Sequence, residues 1–422
     1  MQTIIIGAGA SVPFFRPSLS TSFLTNKVSS RDIWVHMIQK YRSSETDNEI
    51  AEPDAVMSVI NCIRKYSDAN FEEIAEIIDK LSSIGFDNNA SDDLLNLLIR
   101  VYSDLTGGMI SGNRFGPEWR DVPFLLREII AESILELENN YKDPSYNNLS
   151  ALQKAFFNSI CEKSNDVSVL SFNYDDCVYD SLDGLGFETG FTKCQPNGSR
   201  LFDTSVFMSA KRVAYFPHGH VKFHFTDTLD VLFWQDSNKA DEERWKGIDD
   251  PGRGATMTVL SSKFAYNFNT FLTTGQTKDD ALNQLPYSIY YHRLASDIGN
   301  SSCIYIIGYS FGDDHINRLL RSYLYINPSN KVLVIDKYDP QITLTNEYFD
   351  SNNIISKIHT FFETLWRMKV NAMGQKIPFN SAACESLNKK GYGELFSQVY
   401  FYKKGYNAFL NEYERVLEEL KF

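Results

Sequence analysis

Short apolar runs rich in β-branched residues recur along this chain, and each stops on glycine or on a polar cluster. "TIII" (3–6) runs into Gly-Ala-Gly-Ala-Ser, and "VSVL" (167–170) into Ser171-Phe172-Asn173-Tyr174-Asp175. "RVAYF" (212–216) ends at Pro217-His218-Gly219, "CIYII" (303–307) at Gly308-Tyr309-Ser310, and "KVLVI" (331–335) at Asp336. Continuous apolar runs of this length, separated by helical periodicity, are strands buried on both faces. Such strands alternating with helices make a parallel sheet covered on both sides. Ligands of open α/β sheets gather off the carboxyl ends of the strands. The residues that stop these runs are therefore the functional candidates.

The sheet is split in sequence. After the first strand and a following helix (1–30), residues 31–164 read as a helical insertion. "AVMSVINCIRKY", "FEEIAEIIDKLSSIG", "SDDLLNLLIRVYSDL" and "VPFLLREIIAESILELENNY" each repeat apolar residues three and four apart, with Asn70, Ser91 and Asp121 as candidate caps. The sheet resumes over 165–384, where "IISKIHTFF" (354–362) is a candidate further strand. Residues 225–256 are polar, acidic and glycine-bearing, and read as a long loop, the usual form of a lid. Within it, Phe233, Trp234 and Trp245 suit either a ligand cover or packing on the helices. Residues 385–422 read as an amphipathic helical tail.

Composition bounds the function. Hydrophobic residues make up 43% of the 422, which is globular. A net charge of −13 argues against a chain that coats nucleic acid by itself. The six cysteines form no Cys-x-x-Cys pair, which disfavours a cysteine zinc site and fits a reducing compartment. No apolar run approaches the ~18 residues of a membrane span, and the sequence starts on a strand with no basic leader. The expectation is a soluble, cytoplasmic protein with no metal, no membrane contact and no direct nucleic-acid contact.

Each strand end allows two readings. Gly7 and Gly9 suit backbone approach to a pyrophosphate, but Val12 stands where a third glycine of the dinucleotide fingerprint belongs, so a bare turn fits too. Asn173 offers a donor and an acceptor, and Asp175 can hold a ribose hydroxyl; both also suit a helix cap. His218 can exchange a proton near neutral pH or be a packed core histidine. His220 and His224 alternate with it but have no acidic or cysteine partner at metal-ligand spacing. Gly308 and Ser310 are ligand candidates, whereas Asp313 and Asp314 suit the next helix N-terminus.

The order of these ends is more specific than any one of them. GAGAS, then SFNYD, then HG, then GYSFGD, then a strand ending in an acidic residue resembles the sirtuin superfamily, and most closely the sirtuin-like domains of bacterial anti-phage defence. The resemblance covers about half the chain. It implies a Rossmann-like parallel sheet, with the helical insertion and helical tail outside it, and NAD+ as substrate. It places Gly7, Ala8, Gly9, Ser11, Asp175, Gly308, Ser310 and Asp336 at the dinucleotide, and Asn173 and His218 at cleavage of the nicotinamide bond. The zinc module of protein-deacylating sirtuins is missing and Arg16 falls too early for their arginine segment, which favours water as acceptor. The implied activity is hydrolysis of NAD+ to nicotinamide and ADP-ribose, or its cyclic form. The implied setting is a homo-oligomer working with a HerA-type hexameric ATPase that translocates DNA. A non-catalytic NAD+ or ADP-ribose sensor and a nuclease subunit are the alternatives.

Overall fold

The computed structural model describes residues 1–44, 50–66, 69–84, 119, 122–194, 200–225, 232–234, 270–272, 285–326, 329–337, 364, 386–387, 389–396 and 398–422. Strand β1 (Gln2–Ile6) leads into helices α1 (Thr21–Val28), α2 (Arg31–Ser44), α3 (Pro53–Tyr66), α4 (Phe71–Ile84), α5 (Val122–Asn140) and α6 (Tyr146–Lys163). Then come β2 (Val167–Ser171), α7 (Cys177–Leu182), β3 (Phe191–Cys194), β4 (Arg200–Phe202), α8 (Thr204–Ser209), β5 (Arg212–Tyr215), β6 (Gly219–Phe225), β7 (Leu232–Trp234) and β8 (Thr270–Leu272). The remaining elements are α9 (Tyr287–Asn300), β9 (Cys303–Ile307), α10 (Asp314–Ile326), β10 (Lys331–Ile335), β11 (Tyr392–Phe396), β12 (Val399–Tyr402) and α11 (Tyr406–Leu420).

The main sheet has seven strands in the order β11-β12-β10-β9-β1-β2-β5, and all pairs are parallel except β11 with β12. The chain works outward from β1 in both directions, the strand order of doubly wound Rossmann-like sheets. Ile4 of β1 sits beside Val169 and Tyr305, so the central strand is paired on both edges. Its side chains alternate between two cores. Ile4 and Ile6 join Val169, Ile307 and the helices of the insertion. Ile5 joins Leu170, Ile306 and Leu294 of α9 on the other face. The topological switch point, where a ligand crevice forms, lies between the ends of β1 and β9.

The insertion is not a separate body. Leu126 and Ile130 of α5, Ile74 of α4 and Phe156 of α6 belong to the same core as β1. Within it Arg127 of α5 makes a two-pronged contact with Asp79 of α4, at 3.0 and 2.8 Å, both side chains nearly buried. Asn70 caps α4 as the sequence suggests. Its side chain accepts from the Glu72 and Glu73 N–H groups, and Glu73 accepts in return from the Asn70 N–H, a complete capping box. Ser91 and Asp121 lie outside the described residues.

Two expectations change. Residues 385–422 are not a helical tail throughout. "YGELF" and "VYFY" form an antiparallel pair whose second strand extends the parallel sheet beside β10, and the one long helix of the segment is α11. Aromatic and β-branched residues there fit a pleated surface better than a helix face. A second sheet, β3-β4-β7-β6-β8, is also present, all antiparallel. β7 comes from the expected 225–256 loop, most of which lies outside the described residues, as do 354–362 and Trp245. No described helix is long and apolar enough to cross a membrane.

Candidate functional site

The ends of β1, β2 and β9 meet at the switch point. Gly7 donates its N–H to Ile307 O, and Gly9 to Gly308 O, each at 2.9 Å. Ala10 and Ser11 donate to Gly7 O and Ala8 O, closing a turn of 3-10 helix. The glycines thus let two strand-end loops touch backbone to backbone. A Cβ on Gly7 falls 2.7 Å from Gly308 O, and one on Gly9 falls 2.9 Å from Gly308 Cα. In this conformation the Gly7 and Gly9 amides serve that junction, and Ala8 and Gly9 are exposed at its tip.

The turn delivers Ser11 to the end of β2. Ser11 Oγ donates to Asp175 Oδ2 at 2.7 Å, and Asn173 Nδ2 donates to Ser11 Oγ at 2.7 Å. Asp175 Oδ1 accepts the N–H of Cys177 at the start of α7. The carboxylate takes the single serine proton, so serine can only accept from asparagine. That fixes the amide orientation. It leaves Asn173 Oδ1 buried without a hydrogen-bond partner among the described residues. Burial pushes the Asp175 carboxyl upward, and the Ser11 hydrogen bond opposes the shift. Asp175 is fully buried. It acts here on Ser11 and the α7 N-terminus.

Asn173 and Ser11 line a cavity of about 70 Å³ with Ala8, Phe172, Tyr174 and Asp175. The facing wall comes from the helices: Leu19, Leu24, Phe71, Glu72 and Ile134. The insertion, which the sequence places outside the site, therefore supplies Phe71, Glu72 and Ile134 to it, while Leu19, Ser20, Thr21 and Leu24 come from α1 and the residues just before it. No local motif signals that. Residues a hundred positions apart meet only because α4 and α5 pack over the carboxyl edge of the sheet.

His218 is one ring removed from this cavity. It packs on Phe172 with ring centroids 4.8 Å apart, and Phe172 in turn stacks on Tyr309 at 5.3 Å. The His218 Nε2 faces Asp313 Oδ1 at 3.4 Å, and the Tyr309 hydroxyl lies 3.5 Å from Asp313 Oδ2. The sequence assigns Asp313 to the α10 terminus. Its backbone carbonyl accepts the Asn317 N–H there, and its carboxylate flanks the histidine. Asn317 Nδ2 donates to the carbonyl of Phe311, which holds a left-handed φ of 56°. Ser310 is exposed on this loop. Asp336 stands at the end of β10, its carboxyl raised by burial and accepting the Lys337 N–H. Neither Ser310 nor Asp336 lines the Asn173 cavity. Arg16 pairs with Asp143.

Behind Asp175 lies a buried charge cluster that ties the insertion to both sheets. Glu138 of α5 accepts the Asp176 N–H at 2.7 Å. Asp176 pairs with Lys222 of β6 at 2.8 Å and faces His220 Nε2 at 3.4 Å. Burial, then the charge of Asp176, pushes the Glu138 carboxyl well above its usual range. Burial, then Lys222, pushes His220 well below the usual imidazole range. Burial works against the Lys222 ammonium, but Asp176 outweighs it and raises the pKa. His220 is thus a neutral core histidine, packed 4.5 Å from the Phe216 ring. Among the described residues no group of three or more His, Cys, Asp or Glu is placed to hold a metal ion.

The signs give a test. A carboxyl raised in the folded state loses stability as pH climbs from about 4.3 toward the raised value, and a histidine lowered in the folded state loses it as pH falls below about 6.5. Glu138→Gln removes the first effect. In urea titrations the variant should gain on the wild type between pH 5 and pH 8, by about 1.4 kcal/mol for each unit by which Glu138 is raised within that window. A difference that does not change with pH would contradict a buried, raised Glu138.

No protein-family model and no curated protein matches the chain. The fold is α/β with a mostly parallel seven-stranded sheet of Rossmann-like order.

Proposed function

We propose that the chain is a sirtuin-like NAD+ glycohydrolase whose activity a partner releases. The observation that carries the reading is the Asp175–Ser11–Asn173 relay. It fixes a buried carboxamide at a cavity on the carboxyl edge of the sheet, with its acceptor oxygen lacking a hydrogen-bond partner among the described residues. The ordered resemblance of the strand-end motifs to the sirtuin superfamily supplies the substrate. Cleavage of the C1′–nicotinamide bond places positive charge on the ribose, and a pre-oriented dipole is the usual means of stabilising it. Asn173 Oδ1 is suited to orient the ribose or the attacking water. His218, flanked by Asp313, is the candidate acceptor of the water proton, giving nicotinamide, ADP-ribose and H+.

The cavity volume bears on control. At about 70 Å³ it is well below the ~300 Å³ at which ligand pockets begin, so a whole dinucleotide needs a rearranged site. That favours an enzyme idle by itself over a constitutive one, as an NAD+ consumer in its own cell must be. A HerA-type ring translocase in a homo-oligomeric assembly is the proposed activator and DNA contact, and bacterial anti-phage defence the proposed setting. The same small volume also suits a sensor that binds without cleaving. One experiment separates the readings: incubate the purified chain, alone and with its partner, with NAD+ and with DNA. Nicotinamide release that rises with the partner, without strand breaks, is the expected result. Bound but intact NAD+ in both conditions favours the sensor, and strand breaks favour the nuclease.

A further inference from the structure

Asn173 and Asp175 line the cavity, the Asn173 oxygen fully buried and both oxygens of Asp175 engaged by Ser11 and Cys177. The other charged group in the wall is Glu72, in the first turn of α4, with its Oε1 3.5 Å from the Tyr174 hydroxyl. Glu72 is not needed to cap its helix, because Asn70 and Glu73 complete the capping box. The rest of the lining mixes apolar Leu19, Leu24, Phe71, Ile134 and Phe172 with the hydroxyl-bearing Ser11, Ser20, Thr21 and Tyr174. A carboxylate in such a wall attracts hydroxyl donors and positive charge.

We infer that Glu72, supplied by the helical insertion, is a substrate-binding residue that takes the ribose diol and the positive charge of a ribosyl–nicotinamide group. This rests on the NAD+ reading above and assigns the cavity to one end of the dinucleotide, with the pyrophosphate outside it. As the C1′–N bond breaks, its electron pair leaves with nicotinamide and the positive charge moves onto the ribose. The Glu72 carboxylate stabilises that charge until water oxygen bonds to C1′ and releases a proton. The insertion then has a chemical role as well as a packing one.

The test uses binding as well as turnover. Nicotinamide riboside carries the diol and the cation but no phosphate, and ADP-ribose carries phosphates but no cation. Calorimetric titrations of both into the wild type, Glu72→Gln and Glu72→Asp, each assembled with the partner that rearranges the site, give the comparison. A hydrogen bond to a charged group contributes about 1.5–3 kcal/mol, so Glu72→Gln should weaken nicotinamide riboside about ten- to hundredfold. It should weaken ADP-ribose far less, and Glu72→Asp, which keeps the charge, should recover much of the loss. Equal affinity of wild type and Glu72→Gln for nicotinamide riboside, or no binding by the wild type, overturns the inference. Charge-dependent binding with NAD+ left uncut keeps Glu72 as a ribosyl-cation ligand and removes the hydrolase reading instead.

Discussion

Alanine in place of Asn173 should lower partner-activated NAD+ cleavage by about 10²- to 10⁴-fold, the range typical of removing one positioned polar group from the chemistry. Stability should change little by comparison. The side chain makes one bond to another side chain, to Ser11, and its own oxygen is unpartnered. Losing an ordinary hydrogen bond costs about 1 kcal/mol. Ser11→Ala makes the contrast. It frees the Asn173 amide to rotate and strips Asp175 Oδ2 of its proton donor inside a buried site. The loss should be shared between turnover and folding, because an orphaned buried acceptor costs about 1–3 kcal/mol. Stopped assays of nicotinamide release, paired with thermal melts, read both quantities. If Asn173→Ala turns over like the wild type, the relay orients something other than the reaction, and the site is structural.

Five strands of the main sheet, β1, β2, β5, β9 and β10, were legible because each carries its own signal. "TIII", "VSVL" and "CIYII" are too short and too continuously apolar to be surface helices, and each is bounded by a glycine or polar stop. At the carboxyl edge Asn173 bonds Ser11, and Gly308 meets Gly9 backbone to backbone. β4, β7 and β8 each span three residues, too few to show any period, so the antiparallel sheet was invisible. β12 was hidden by aromatics that read equally well on a helix face. The more instructive gaps are at the site. Glu72 looks like an ordinary acidic residue in a helix first turn, which it also is. Its place in the cavity depends on how α4 crosses the sheet edge. Asp313 likewise serves a local purpose that masks its distant neighbour His218. Local pattern reports the chain's nearest contacts, and a residue with a near and a far partner shows only the near one.

Gly308→Ala should be strongly destabilising. The new Cβ would sit 2.4 Å from Ala10 N and 2.6 Å from Gly9 C, both backbone atoms that cannot swing aside. The residue also holds a φ of +57°, in the left-handed region where a side chain adds roughly 1–2 kcal/mol of strain. Overpacking adds about 1–3 kcal/mol, for a total of roughly 2–5 kcal/mol. At ~2–4 °C per kcal/mol in large domains, the melting temperature should drop by several degrees or more. Gly312, four residues on in the same loop, is the control. Its Cβ would meet only Ser310 Oγ, at 3.4 Å, so Gly312→Ala should melt close to the wild type. The damage reaches the site through hydrogen bonds. Gly308 accepts from Gly9 and donates to Ile335, so displacing it parts the ends of β1 and β9 and moves the turn that carries Ser11. Gly308→Ala should therefore lose activity even at temperatures where it remains folded. Identical melting of Gly308→Ala and Gly312→Ala would show that the two strand-end loops do not touch as described. A Gly308→Ala protein with full turnover would show that their contact does not set the position of Ser11.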